Sequence, residues 1–200
     1  MNWLKKFWTF LKEDTWQSWL VSLILLVTLI RFIFFPLLSF VTGAPLPLVV
    51  VESCSMHHQG DFDDWWFRYG EQYDRFGISK EYFKTFSMPT GFNKGDIMFV
   101  WGRSNSKIGD IIVFTPNSES TAQHPIIHRV ITTEPFGTKG DNGKTNPRQL
   151  DGSNTQRLDE TSIKPEQIMG KAVARIPALG WIKLVFFEFS RPEGQRGLCN

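Results

Sequence analysis

A chain of 200 residues has room for one catalytic-sized domain, or for a smaller domain with a membrane anchor, and is too short for several separately folded modules. Its 22 Lys and Arg against 20 Asp and Glu leave a net charge of +2, which excludes a nucleic-acid-scale basic field, so no DNA or RNA partner is expected. Two cysteines, Cys54 and Cys199, exclude a disulfide scaffold as the main source of stability, and the core must be hydrophobic.

The N-terminal residues 1–15 carry Lys5, Lys6 and Lys12 against Glu13 and Asp14. Residues 18–40 follow with a single charge, Arg31, and Trp3, Trp8, Trp16 and Trp19 precede or open that run, where indole rings suit a membrane interface. A helix needs about 20 apolar residues to cross a hydrocarbon core of about 30 Å, so residues 16–40 are expected to form a transmembrane anchor. Arg31 would snorkel to the headgroups and Pro36 would mark the exit. A cleavable signal peptide is the rival, with small residues at Thr42-Gly43-Ala44, but the apolar run is long and Pro45 would follow the cut. The lysines favour a cytoplasmic N-terminus, with residues 41–200 outside.

Past Pro45 and Pro47, brief apolar runs bounded by Gly, Asn, Ser and Pro predict a mainly β domain. The expected strands are 48–52, 96–101, 110–115, 126–133 and 171–176, two of them opening on Gly95-Asp96-Ile97 and Gly109-Asp110-Ile111. Between the first two lies a segment of a different kind, residues 57–93, whose Phe62, Trp65, Trp66, Tyr69, Tyr73 and Phe76 follow helical spacing. Its aromatic face is expected either to pack on the β-domain or to rest on lipid. The apolar run 181–187, interrupted by Lys183, is too short to span a bilayer.

Ser53-Cys54-Ser55-Met56 directly follows the first expected strand, which presents hydroxyls at a strand end; such a turn also commonly hydrogen-bonds its own backbone. His128, in Ile126-Ile127-His128-Arg129-Val130-Ile131, shares a strand face with Ile126 and Val130. It reads either as a satisfied half-buried residue or as a general base whose tautomer a carboxylate fixes. Thr138-Lys139-Gly140-Asp141-Asn142-Gly143 supplies one carboxylate, and Asp151 and Asp159 follow. A serine–lysine pair using Lys139 or Lys94 is a second arrangement. A non-catalytic, membrane-tethered β-domain that scaffolds a partner is a third.

Taken in order, the Ser-Cys-Ser-Met strand end, the two Gly-Asp-Ile strands, His128-Arg129-Val130-Ile131, Thr138-Lys139-Gly140-Asp141-Asn142, Gly170-Lys171-Ala172-Val173 and Ile176-Pro177-Ala178-Leu179-Gly180 form a pattern. It resembles the type I signal peptidase family from about residue 20 to 185, and His128 before Arg-Val resembles the serine–histidine branch found in archaea, the endoplasmic reticulum and some bacteria. The resemblance implies one N-terminal transmembrane helix and a β-rich catalytic domain with Ser55 as nucleophile, His128 as general base and Ser53 in the oxyanion hole. It places the acid after the Gly-Asp-Asn turn, at Asp151, with Asp141 a rival or turn-fixing partner. Substrate would lie along Val49, Val50 and Val51 and near Met56, with small residues before the cut.

The implied activity is removal of N-terminal signal peptides from exported preproteins by a membrane-bound serine endopeptidase, with no cofactor or metal. Expected partners are signal peptides, the lipid bilayer and a nearby secretion translocon, and the expected location is the cell membrane, crossed once. Four departures from the family pattern stand out. Cys54 occupies a position where glycine is usual, His57-His58 replace the common x-Pro, residues 59–92 are an insertion, and the gap 142–151 is lengthened.

Overall fold

The computed structural model describes residues 2–199 and divides into two compact units, Met1–Val41 and Thr42–Asn200. In the first, α1 (Asn2–Leu11) precedes a turn in which the Thr15 side chain accepts a hydrogen bond from Ser18 N and caps α2 (Trp16–Leu29). A π-helical segment, Ile30–Phe34, then leads into α3 (Phe35–Thr42) without a break. The resulting helix, Trp16–Thr42, has 27 residues and is long and apolar enough to cross a membrane, at about 40 Å.

The helix therefore passes Pro36 instead of ending there. The reason is local. Phe35 N–H bonds to Ile30 O, a five-residue step that widens the turn just before the proline, and Pro36 sits at the start of the next segment, where its missing N–H costs little.

The second unit is built on β1 (Leu48–Val50), α4 (Phe62–Tyr69), α5 (Glu71–Asp74), α6 (Lys80–Lys84), β2 (Ile97–Trp101), β3 (Ile111–Phe114), β4 (Ile126–Thr133), β5 (Phe136–Lys139), β6 (Ile168–Ile176) and α7 (Trp181–Phe187). The strands form one six-stranded sheet in the order β1-β2-β6-β3-β4-β5, every neighbouring pair antiparallel. Among the described residues, β1 is an edge strand, paired with β2. Core lies on both faces: Ile111, Val113, Ile127, Met98 and Met56 on one, Ile112, Phe114, Val130, Leu158 and Ile163 on the other. β3 is thus buried on both sides, which is why it reads as an unbroken apolar run.

The two Gly-Asp steps are turns that aim β2 and β3. Gly95 and Gly109 hold φ of 90° and 91°, and a Cβ there would stand 2.1 Å from Trp181 and 2.2 Å from Phe86. Each aspartate then closes its own turn, Asp96 accepting from Asn93 N at 2.9 Å and Asp110 from Lys107 N at 3.0 Å. β5 is not among the expected strands; it forms because residues 136–139 complete a hairpin with β4. β6 also begins earlier than expected, at Ile168.

The aromatic stripe packs on the sheet. It breaks into two helices at Gly70, which lies against the Trp66 indole, yet all six residues join one cluster with Ile78, Phe83, Phe86 and Ile131 of β4. Trp65 and Tyr73 are fully buried there. In α7 only Leu184 is buried, while Ile182, Val185 and Phe186 are exposed.

Beneath the aromatic cluster sits a buried ion pair. Arg129 Nη2 lies 2.6 Å from Asp141 Oδ2, and both side chains are sealed from solvent. The remaining guanidinium donors go to Asp141 through Nε and to the carbonyls of Ser87, Gly109 and Met88. Asp141 accepts in addition from Tyr73 Oη at 2.9 Å and faces His58 Nε2 at 3.3 Å, and Trp65 Nε1 donates to its carbonyl at 3.2 Å. Burial alone would raise the Asp141 carboxyl, but the Arg129 charge and the hydrogen bonds from His58 and Arg129 hold it far below the usual carboxylate range. His58, stacked on Trp65, is shifted down by burial, with Asp141 opposing.

Two outcomes follow for urea unfolding in detergent micelles. Trp65→Ala should cost about 3–5 kcal/mol, as truncation of a buried large aromatic does. Asp141→Asn should cost about as much, because it leaves Arg129 buried without its counter-charge. Since the folded carboxyl is depressed, this contribution is complete above the unfolded value of about 4 and disappears as pH falls below it. The gap between parent and Asp141→Asn should therefore narrow in acid; a gap independent of pH would contradict an ionised Asp141.

Candidate active site

β1 delivers the chain into the turn Ser53-Cys54-Ser55-Met56, where Ser53 Oγ and Ser55 Oγ are 3.1 Å apart. The turn is held from outside itself. Asn142 N donates to Ser55 O and Asn142 Nδ2 to Cys54 O, both at 2.8 Å, while Phe92 N donates to Met56 O at 3.1 Å. Met56 is buried in the core against Ile111 and Ile127 and receives the Asp141 amide at its sulfur. Asn142 directly follows Asp141, so the ion pair beneath the insertion also anchors the turn. Cys54 is joined to Cys199 by a disulfide.

His128 stands on β4 opposite Ile112 of β3, on the face away from Arg129. It is buried, and Nδ1 is hydrogen-bonded to Glu160 Oε1, which also accepts from Thr138 Oγ1 at 2.9 Å. An ionised carboxylate can only accept, so Nδ1 is the donor to Glu160 and Nε2 is the ring nitrogen left for another partner. Glu160 is positioned by β5: Thr138 N donates to its carbonyl at 3.0 Å and Gln149 Nε2 at 2.9 Å. Among the described residues, Ser55 Oγ is hydrogen-bonded to Ser53 Oγ and none joins it to His128.

Neither expected aspartate lies against His128. Asp141 is committed to Arg129. Asp151 is exposed and caps its own turn, accepting from Ser153 Oγ at 2.6 Å and from Ser153 N, bonds that lower its carboxyl. The lengthened gap 142–151 carries Asp151 out to the surface, and the next strand-like bridge, Asp151 to Asp159, brings Glu160 inward instead. Glu160 has no local signal: Asp159-Glu160 looks like any solvated acidic pair until β5 pairs with it.

Of the expected substrate residues, Val51 and Met56 are buried in the core, so their side chains face inward. Val49 and Val50 are half-buried. The two lysines considered as bases lie elsewhere. Lys139 pairs in register with Arg129 and so faces the insertion, its amine donating to Gly140 O and lying 4.8 Å from the Tyr73 ring. Burial lowers it to about 8, with the Asp141 and Glu160 charges opposing. Lys94 is 2.5 Å from Glu188.

No family model matches the chain. Curated proteins do. A signal peptidase complex catalytic subunit of Candida tropicalis is 31% identical over 109 residues, 51% of this chain and 61% of that protein. Its counterparts in Colletotrichum graminicola and Pyricularia oryzae are 29% identical over 112 residues and 28% over 111, each match covering 60% of the relative. The chain thus spans about three-fifths of the length of the relatives it matches. With an antiparallel sheet, a serine turn just past its edge strand and a histidine on β4, the chain is similar over about half of its length to catalytic subunits of signal peptidase complexes.

Proposed function

We propose that the chain is a membrane-bound serine endopeptidase that removes N-terminal export signals after small residues. The observation that carries this reading is the buried His128–Glu160 pair, in which the carboxylate takes Nδ1 and Nε2 is left to act as the proton acceptor. Serine is a weak nucleophile at its ordinary pKa, so Ser55 Oγ exchanges its bond to Ser53 for one to His128 Nε2 and attacks the scissile carbonyl as that proton leaves. The imidazolium that forms is stabilised by the Glu160 carboxylate, a gain that grows towards the transition state. Ser53 Oγ and the Ser55 backbone N–H receive the developing oxyanion, and His128 then protonates the leaving amine. The resulting acyl-enzyme is hydrolysed by water through the same groups.

The substrate's cleavage segment adds as an extended strand along the open edge of β1. A signal peptide and the Trp16–Thr42 helix reside in one bilayer, so effective concentration replaces tight binding. The relatives' names point to a multisubunit complex, and we infer that this chain too works beside partner subunits. Two features support a cytoplasmic N-terminus and an outer or lumenal catalytic unit: Lys5, Lys6 and Lys12 before the span, and a disulfide in the second unit, which persists on an oxidising side.

Cleavage of a preprotein by the full chain in lipid tests the assignments. Ser55→Ala should lose more than about 10³-fold in kcat, and Ser53→Ala about 10²–10³-fold. Glu160→Gln should lose about 10⁴-fold, because it no longer holds the catalytic tautomer, whereas Asp151→Asn should stay within about twofold. Full turnover by Ser55→Ala would remove the proposal, and an inactive Asp151→Asn beside an active Glu160→Gln would transfer the acid's role to Asp151.

A further inference from the structure

We infer that the C-terminal segment is a covalent strap that positions the nucleophile turn and sets where a substrate strand stops on β1; this rests on reading Ser55 as the nucleophile. The disulfide joins Cys54, the residue between the two serines, to Cys199 across 145 residues of sequence.

The strap is tied at three neighbouring points. Arg191 Nη2 lies 2.8 Å from Glu52 Oε2, and its Nη1 donates to Glu52 O at 2.7 Å. Glu188 Oε1 pairs with Lys94 Nζ and also accepts from Gly197 N at 2.9 Å, folding the segment back towards Lys94, whose amide donates to Cys199 Sγ at 3.5 Å. Phe189 and Leu198, its large apolar side chains, are 82% and 70% exposed, so the segment is held by charge and covalency and not by core packing.

Its second effect follows from strand alternation. Val51 N donates to Asp96 O and Val51 O accepts from Gly95 N, both at 2.8 Å, so the backbone of residue 51 points to the β2 side. The backbones of Val50 and Glu52 therefore point to the open edge. Arg191 occupies the Glu52 carbonyl on that edge. An extended substrate pairs with Val50 and with Glu52 N–H, and its ladder ends there, one residue before Ser53. The scissile bond is then delivered to Ser55 in a single register.

The test uses the full chain in lipid, the variant Cys199→Ser, and the parent treated with dithiothreitol. The reductant supplies two electrons and two protons, the S–S bond opens to two thiols, and dithiothreitol becomes its cyclic disulfide. The readouts are kcat and KM on a preprotein, and hydrogen exchange at the amides of residues 53–57. Cys199→Ser and reduced parent should both lose about ten- to a hundredfold in kcat with KM within about twofold, the scale expected when a reacting group is misplaced. Exchange should quicken at residues 53–57 without quickening across the sheet, and dithiothreitol should change nothing further in Cys199→Ser.

Unchanged exchange at residues 53–57 would overturn the inference, as would exchange that quickens uniformly, which marks a merely stabilising bond. A parent that cleaves nothing while residues 53–57 respond to reduction would keep the strap and refute the proposed protease.

Discussion

The Arg129–Asp141 pair is the constraint on which the second unit depends. Two charges taken out of water are stable only when every donor and lone pair is satisfied, and here the partners come from two segments: Tyr73, Trp65, His58, Ser87 and Met88 from the insertion, and Gly109 from the turn before β3. The pair therefore reads out whether all of them have docked. One residue further on, Asn142 carries the result to the serine turn through two hydrogen bonds. The insertion that follows the serines in sequence is thus also a structural support for them.

Strand periodicity separates two duties that are adjacent in the chain. Arg129 faces the insertion and organises the fold, while His128, one residue earlier, faces the other side of β4 and meets Glu160. The same rule disposes of the basic rival: Lys139 lies opposite Arg129 and shares its face, so burial depresses it to about 8 while its amine is bonded to Gly140 O beside the Tyr73 ring. Asp141 is consumed in the same way, its lone pairs spent on Arg129, Tyr73 and His58.

Most of the fold was legible. The 27-residue apolar helix, the aromatic stripe and strands β1 to β4 follow from local periodicity, which needs no knowledge of partners. The failures lie where tertiary pairing overrides local preference. Residues 136–139 look like the approach to a glycine turn and become β5 because β4 offers them a hairpin partner. Pro36 looks like a helix end and is absorbed by a π-helical turn whose existence depends on backbone geometry over five residues.

By itself the sequence determined the chemistry on offer: serines at a strand end, one histidine on a strand, an apolar helix before them, and a pattern resembling type I signal peptidases. These are properties of residue type and spacing, and they survive any arrangement of the loops. Only the tertiary structure decided which carboxylate meets His128, because that choice depends on the long loop carrying Asp151 outward and on β5 drawing Glu160 inward. It alone also decided that Cys54 and Cys199 are joined, since a bond between residues 145 positions apart requires a chain already folded back on itself.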